Sequence, residues 1–399
     1  MTSSSPSPRF RLVSREATSL LILSAASFSC VGAALVLPGT LLPVMVVRLG
    51  LDYREAGSLL AAQPLGHLTA VLGAPWVFRN ASSGHLATFG FLPLATALGW
   101  LASATSLPAA ATAMFLSGVG IGLIEVGTNA EILGDLQRAN RMMNLAHLFF
   151  GIACVTIPPL ATLSLEHGFP PGLSFVVAAA AALVGGMLWF TRRSQSNPSR
   201  GPASSATLPP RRLLFLALAM ALYVGAEIGL GSWFTQYATQ ELGSSLWQAG
   251  WGLSLYWGGL TIGRLLLGLG APAAPSTRLV TSLALASTVS STAMLVSSEA
   301  TLYVLFAALT GAAFSGIFPG ILALAGRERG ADPKGVTSLL LASAAGGQIV
   351  FPWAMGALAK ELGLSVAMWL YPALCLGLFA AVTSYNRIVP SQQEPLNLV

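Results

Sequence analysis

The chain has 399 residues, of which 54% are hydrophobic and only 9% charged. Soluble domains carry roughly a quarter charged residues, so this composition excludes a soluble globular protein and implies an all-α polytopic membrane protein. The net charge of +6 would suggest nucleic acid as the partner of a soluble chain; here the basic residues fall in loops, so the expected partner is the lipid bilayer, with no nucleic acid.

Three N-terminal arginines precede an apolar run that continues to Val47, too long for a signal peptide's apolar core of roughly 7–15 residues. A retained spanning helix is predicted there. A span needs about 20 apolar residues. Twelve segments meet that length, at 18–47, 56–77, 84–104, 109–134, 142–164, 172–191, 213–238, 248–269, 279–298, 300–324, 336–358 and 365–386. Turn-rich or charged stretches separate them. Cys30, Cys154 and Cys375 lie far apart in apolar stretches and show neither disulfide nor metal-ligand spacing.

With both termini cytoplasmic, only Arg48, Arg54 and Lys360 of the 20 basic residues fall outside. The positive-inside rule therefore sets this orientation, expected in a bacterial inner membrane. Residues 192–212 are polar and rich in Pro and Ser, with an arginine pair at each end. They read as a cytoplasmic linker between an N-terminal half, 1–191, and a C-terminal half, 213–399. The halves repeat. Shifted by 193 residues, Gly118 falls on Gly311, Ala56-Gly57 on Ala249-Gly250, and Pro159 on Pro352. Two parallel six-helix repeats joined by a long linker resemble the architecture of the major facilitator superfamily: two pseudo-symmetric bundles rocking around a solute held near the midplane.

Two acidic side chains lie well within the spans, Glu125 in the fourth segment and Glu227 in the seventh. An ionised carboxylate near the bilayer centre costs at least about 2.5–3.5 kcal/mol, so each should face a cavity, pair, or hold a proton. That is the property of a proton-coupling residue; the alternative is a protonated Glu joining two helices by a hydrogen bond. At the repeat offset Glu125 falls on Phe318 and Glu227 on Ala34, so neither has a symmetry mate. Asn129 and Tyr223 stand one helical turn from Glu125 and Glu227. Gln63, Asn144, His147, Trp233, Gln236, Tyr256, Trp257 and Gln348 are further candidates for touching a solute, as amides and rings suit a polyhydroxylated ligand; interfacial anchoring or helix packing is the alternative for each. His67 is a further polar residue of the second segment. Arg264 reads as snorkelling to the cytoplasmic surface, and Asp135, Arg138 and Arg141 as a gate network or a solvated turn. No phosphate-binding loop or hydrolytic motif is present, and an enzyme is not expected.

Ile124-Glu125-Val126-Gly127-Thr128-Asn129 with Asn144-Leu145-Ala146-His147, and the stretches Tyr223–Ala238 and Tyr256–Leu266, resemble the fucose:proton symporter family of that superfamily, including its sodium-dependent glucose-transporter-like branch. The resemblance implies sugar uptake by a monomer, no cofactor beyond a coupling proton or sodium ion, and a coupling role for Glu125. The family's acid before Leu-Leu-Pro in the first helix is missing: Pro38-Gly39-Thr40 precedes Leu41-Leu42-Pro43. Three alternatives stay open: Glu227 substitutes across the cavity, coupling is to sodium, or coupling is lost. Proton-linked efflux is the alternative, although Gly151 lacks the Gly-Pro expected after it in the fifth segment. A non-transporting membrane sensor ranks third.

Overall fold

The computed structural model describes residues 15–77, 81–134, 139–191, 211–270, 276–327 and 333–388. In lipid each backbone N–H and C=O must be bonded within its own segment, and helices satisfy that demand. The described residues form fifteen. The first half holds α1 (Arg15–Thr40), α2 (Leu42–Leu49), α3 (Tyr53–Val77), α4 (Ser83–Ser103), α5 (Leu107–Leu133), α6 (Ala139–Glu166) and α7 (Gly172–Phe190). The second holds α8 (Arg211–Gln240), α9 (Leu246–Gly270), α10 (Thr277–Val296), α11 (Ala300–Phe314), α12 (Ile317–Ala325), α13 (Pro333–Leu362), α14 (Leu364–Ala367) and α15 (Leu370–Ile388). The predicted linker lies almost wholly outside the described residues, as do Asp135 and Arg138.

The twelve predicted segments become fifteen helices because three are broken, each by a proline. Proline has no N–H to give the carbonyl four residues earlier. Pro43 cannot donate to Gly39, and the first span divides at Leu41. Pro319 cannot donate to Ser315, where α11 ends and α12 begins. Pro372 cannot donate to Met368, which instead accepts from the Tyr371 N–H at 3.1 Å between α14 and α15. The result is still twelve crossings. Ten are long and apolar enough to span by length and composition. The other two, α3 and α9, match them at 25 residues each but give part of that length to polar groups such as Gln63, His67 and Arg264.

Each half has an apolar core, and the second continues across the seam to Val36, Leu42, Ala56, Leu60 and Cys154. Leu23, Phe28, Phe91, Leu98, Phe175 and Trp189 gather in the first; Trp233, Phe234, Tyr303, Phe314 and Tyr371 gather in the second. The same crossings recur in both: α1 on α6 and α8 on α13, α3 on α5 and α9 on α11, α4 on α7 and α10 on α15. The repeat is visible at single atoms. A methyl group at Gly118 would strike the Gln63 carbonyl of α3, and one at Gly311 would strike the Tyr256 carbonyl of α9. Both members of each pair are displaced by the same 193 residues. Small residues let helix backbones approach this closely. Gly118→Val and Gly311→Val should each cost about 1–3 kcal/mol through overpacking, read as a lowered Tm in detergent. Gly268→Ala, where an added carbon meets nothing within 4 Å, should be neutral or stabilising by up to about 1 kcal/mol.

The halves meet along α3 with α13, α6 with α9, and α1 with α8. Proline-freed carbonyls help to hold this seam. Pro43 leaves the Gly39 carbonyl open, and Thr235 Oγ1 of α8 donates to it at 2.5 Å. Pro159 leaves the Val155 carbonyl open, and Ser254 Oγ of α9 donates to it at 2.5 Å. At one end of the seam Arg54 pairs with Glu361 at 2.9 Å and Lys360 with Asp52 at 2.6 Å. Below them the backbones of Gly57 and Gly356 touch. That end of the molecule is closed.

The Asp52 carboxyl lies below its usual value of 3.8, held there first by the Lys360 hydrogen bond and next by the Glu55 N–H. A lowered carboxyl contributes to closure above its ordinary range and loses that contribution as pH falls through the lowered value. Spin labels across the α2–α3 turn and the end of α13 should therefore keep one distance from pH 8 to 5. They should separate only below about pH 4.

Candidate functional site

Glu125 sits on α5 and meets His67 of α3 at 2.8 Å. The approach is fixed by Gly122, where a side chain would collide with the His67 carbonyl. Both partners are deep in the helical bundle, yet their side chains keep 28% and 27% exposure. A carboxylate is stable there when it faces water or a partner rather than lipid. In the other half, Glu227 of α8 meets Arg264 of α9 at 3.3 Å. The Glu227 side chain is nearly sealed at 7% exposure, while Arg264 keeps 36%.

His147 of α6 joins the two pairs. It lies within electrostatic reach of both Glu125 and Arg264 and packs on Phe28 with ring centroids 4.7 Å apart. His67, Glu125, His147, Arg264 and Glu227 thus form a titratable belt running from one bundle to the other. Sequence reading singled out both carboxylates and His147. It missed the pairings, and it read Arg264 as a snorkelling side chain. The structure corrects that reading: Arg264 points to a carboxylate inside the protein, because a cation within a span is cheaper with a counter-ion than without one. The signal available was only that Arg264 is a cation within a predicted span, which costs less with a counter-ion than without one. Glu131, one and a half turns beyond Glu125, is a further buried acid of α5 that was not singled out.

The Tyr223 hydroxyl faces the Glu227–Arg264 pair and interacts with both side chains. Two further buried polar atoms, Asn129 Oδ1 and Trp257 Nε1, lack a hydrogen-bond partner. A buried donor or acceptor without a partner costs about 1–3 kcal/mol. Asn144 is exposed on α6, one turn before His147.

Other sequence candidates are already occupied. The Gln63 amide donates to the Ala34 carbonyl and to Ser117 Oγ, both at 3.0 Å. Ala34 is the acceptor that Pro38 cannot serve, so Gln63 repairs a helix rather than standing free for a solute. Trp233 is fully buried and donates to the Pro352 carbonyl at 3.2 Å. The Tyr256 hydroxyl donates to the Glu227 carbonyl at 2.8 Å, which steadies the Glu backbone. Gln348 lines a cavity of about 20 Å³ with Gln63, Pro38 and Pro352, little more than room for one water. Gln236 lies apart from the belt, at the closed end.

No family model matches this chain. Among curated proteins it is similar to the TsgA homolog of Erwinia tasmaniensis, at 24% identity over 286 residues, covering 69% of this chain and 72% of that protein. It is also similar to Bypass of stop codon protein 6 of Saccharomyces cerevisiae, at 24% identity over 266 residues, covering 58% of this chain and 52% of that protein; there the chain spans about half the relative's length. Among solved structures it resembles a bacterial homolog of the human lysosomal transporter Spinster, inward-facing and occupied, with a TM-score of 0.77 at 12% identity over 93% and 97% of the two chains. It resembles the D323A mutant of the nucleoside transporter NupG, with a TM-score of 0.72 at 15% identity over 92% and 99%. It also resembles FucP, a major facilitator superfamily transporter in the outward conformation, with a TM-score of 0.62 at 20% identity over 92% and 98%. Twelve crossings, two cores, a repeat carried to single atoms and these likenesses agree: the chain has the fold of the major facilitator superfamily.

Proposed function

We propose that this chain is an ion-coupled secondary transporter that takes up a sugar or a similar small polar solute by alternating access. The observation that carries this reading is the partly exposed His67–Glu125 pair inside one bundle, facing the Glu227–Arg264 pair of the other across His147. Glu125 is the proton carrier in this proposal. Glu227, expected from sequence to share that role, is here a counter-ion that keeps Arg264 in place. His67 takes the position of partner that the missing first-helix acid left open, in the manner of the fucose:proton symporter family. Asn129 Oδ1 and Trp257 Nε1, without partners of their own, are the acceptor and donor proposed to meet hydroxyl groups of the solute.

The basic residues favour cytoplasmic termini and a bacterial inner membrane, which places the Asp52–Lys360 end outside. The molecule is then closed outward, which is the arrangement of an inward-facing state in this proposal. Its greater likeness to the inward-facing Spinster homolog than to outward FucP supports that assignment. The monomer is the proposed working unit, because one chain supplies both bundles of the fold. One pH unit supplies about 1.4 kcal/mol per proton, and 100 mV adds about 2.3 kcal/mol per charge, enough for concentrative uptake.

Proteoliposomes given labelled sugars under an imposed pH or sodium gradient test the proposal. Uptake driven by the pH gradient and collapsed by a protonophore is expected. Uptake following sodium alone would move the coupling to that ion. Transport of nucleosides or peptides, with every sugar excluded, would overturn the solute class.

A further inference from the structure

A cavity of about 440 Å³ lies away from the titratable belt, at the closed end of the seam. Ligand sites usually measure about 300–1,000 Å³. Both bundles build it: Asp52 and Tyr53 come from the first half, with Pro43 and Val46 as an apolar floor, and Gln236 and Lys360 come from the second. Its wall therefore exists only while that end is shut.

Gln236 lines the cavity and is 2% exposed; its Oε1 is sealed without a partner, so a solute in the cavity bonds it once the amide turns outward. A buried amide oxygen left open needs a donor. The charges in the wall cancel, because Lys360 and Asp52 pair at 2.6 Å. An ionic ligand would have to break that pair, whereas a neutral ligand bonds its outer lone pairs and protons and leaves it intact. The Tyr53 ring is held edge-on to Trp233, with centroids 6.2 Å apart, and gives the cavity a fixed aromatic side. An amide acceptor, a self-neutralised ion pair, a ring and an aliphatic floor match hydroxyls on one side and C–H faces on the other.

From this geometry we infer a second solute site at the closed end, one that takes a small neutral polyhydroxylated molecule and whose occupancy holds that end shut. The inference stands on this cavity and does not require that the belt couple protons or that the chain transport at all.

The test uses the purified full chain in detergent. A charged maleimide reacts with the introduced thiol of Gln240→Cys, at the rim of the cavity, and with that of Ser298→Cys, exposed at the same end but outside the cavity. The unaltered chain serves as blank for Cys30, Cys154 and Cys375. Glucose, galactose, mannose and fucose are the probes. A severalfold slowing by at least one sugar is expected for Gln240→Cys and none for Ser298→Cys. The slowing should persist when Glu125→Gln and Asn129→Ala are added, and it should vanish with Gln236→Leu. Equal slowing at both thiols, no slowing by any of the four sugars, or loss of protection in the belt variant would overturn the inference. So would protection that survives Gln236→Leu. Val47→Cys, at a residue 81% exposed on the same rim, repeats the measurement should Gln240→Cys fold poorly. Protection without gradient-driven uptake would condemn the transport proposal and leave this site standing.

Discussion

Glu125→Gln is expected to abolish concentrative uptake while leaving exchange of solute across the membrane. The amide keeps the shape of the carboxyl and a hydrogen bond to His67, which meets Glu125 at 2.8 Å, but it cannot release a proton. Solute binding and rocking of the bundles need no proton transfer, so counterflow of the labelled sugar should persist. The accumulation ratio under one pH unit should fall about tenfold, to unity, the loss of roughly 1.4 kcal/mol per coupled proton. A variant that still concentrates solute as well as the native chain would remove Glu125 from the coupling role. His67 separates positioning from chemistry. His67→Gln keeps a donor for the carboxylate and should retain more gradient-driven uptake than His67→Leu. Equal loss in both variants would point to the imidazole's own proton instead.

Arg264→Leu should be the most destabilising single change in the belt. It leaves Glu227, with 7% side-chain exposure, without its counter-ion, so the carboxyl must stay charged in apolar surroundings or take up a proton. Removing one member of a buried ion pair costs about 3–5 kcal/mol. The double variant Arg264→Leu with Glu227→Gln removes both charges and should recover most of that loss, since a buried pair is worth far less than its broken half costs. Thermal unfolding of the single and double variants in detergent checks the pairing. A single variant within about 1 kcal/mol of the native chain would restore the snorkelling reading of Arg264. Recovery of fold without recovery of uptake in the double variant would show that the pair serves the transport cycle as well as stability.

Hydropathy alone carried most of the architecture. Span number, the half-and-half repeat and the isolation of Glu125 and Glu227 in apolar segments are local properties, written in windows of about 20 residues. The prolines at 43, 319 and 372 were equally visible. Where the freed carbonyls find their donors was not visible: Ala34, Val155 and Gly39 are served by Gln63, Ser254 and Thr235, all on other helices.

The belt was legible as a set of residue types and illegible as a set of partners. His67 and Glu125 are 58 residues apart, and Glu227 and Arg264 are 37 apart. Nothing in the composition around Arg264 distinguishes a side chain reaching for the membrane surface from one turned inward to a carboxylate. Packing α8 against α9 decides it, as packing α3 against α5 decides which base meets Glu125. The sequence by itself determined that carboxylates would be buried in a twelve-helix membrane bundle. Only the tertiary structure decided what neutralises each of them, because counter-ions in a low-dielectric interior are chosen by proximity in space, and proximity here is a product of glycine-mediated helix crossings between distant segments.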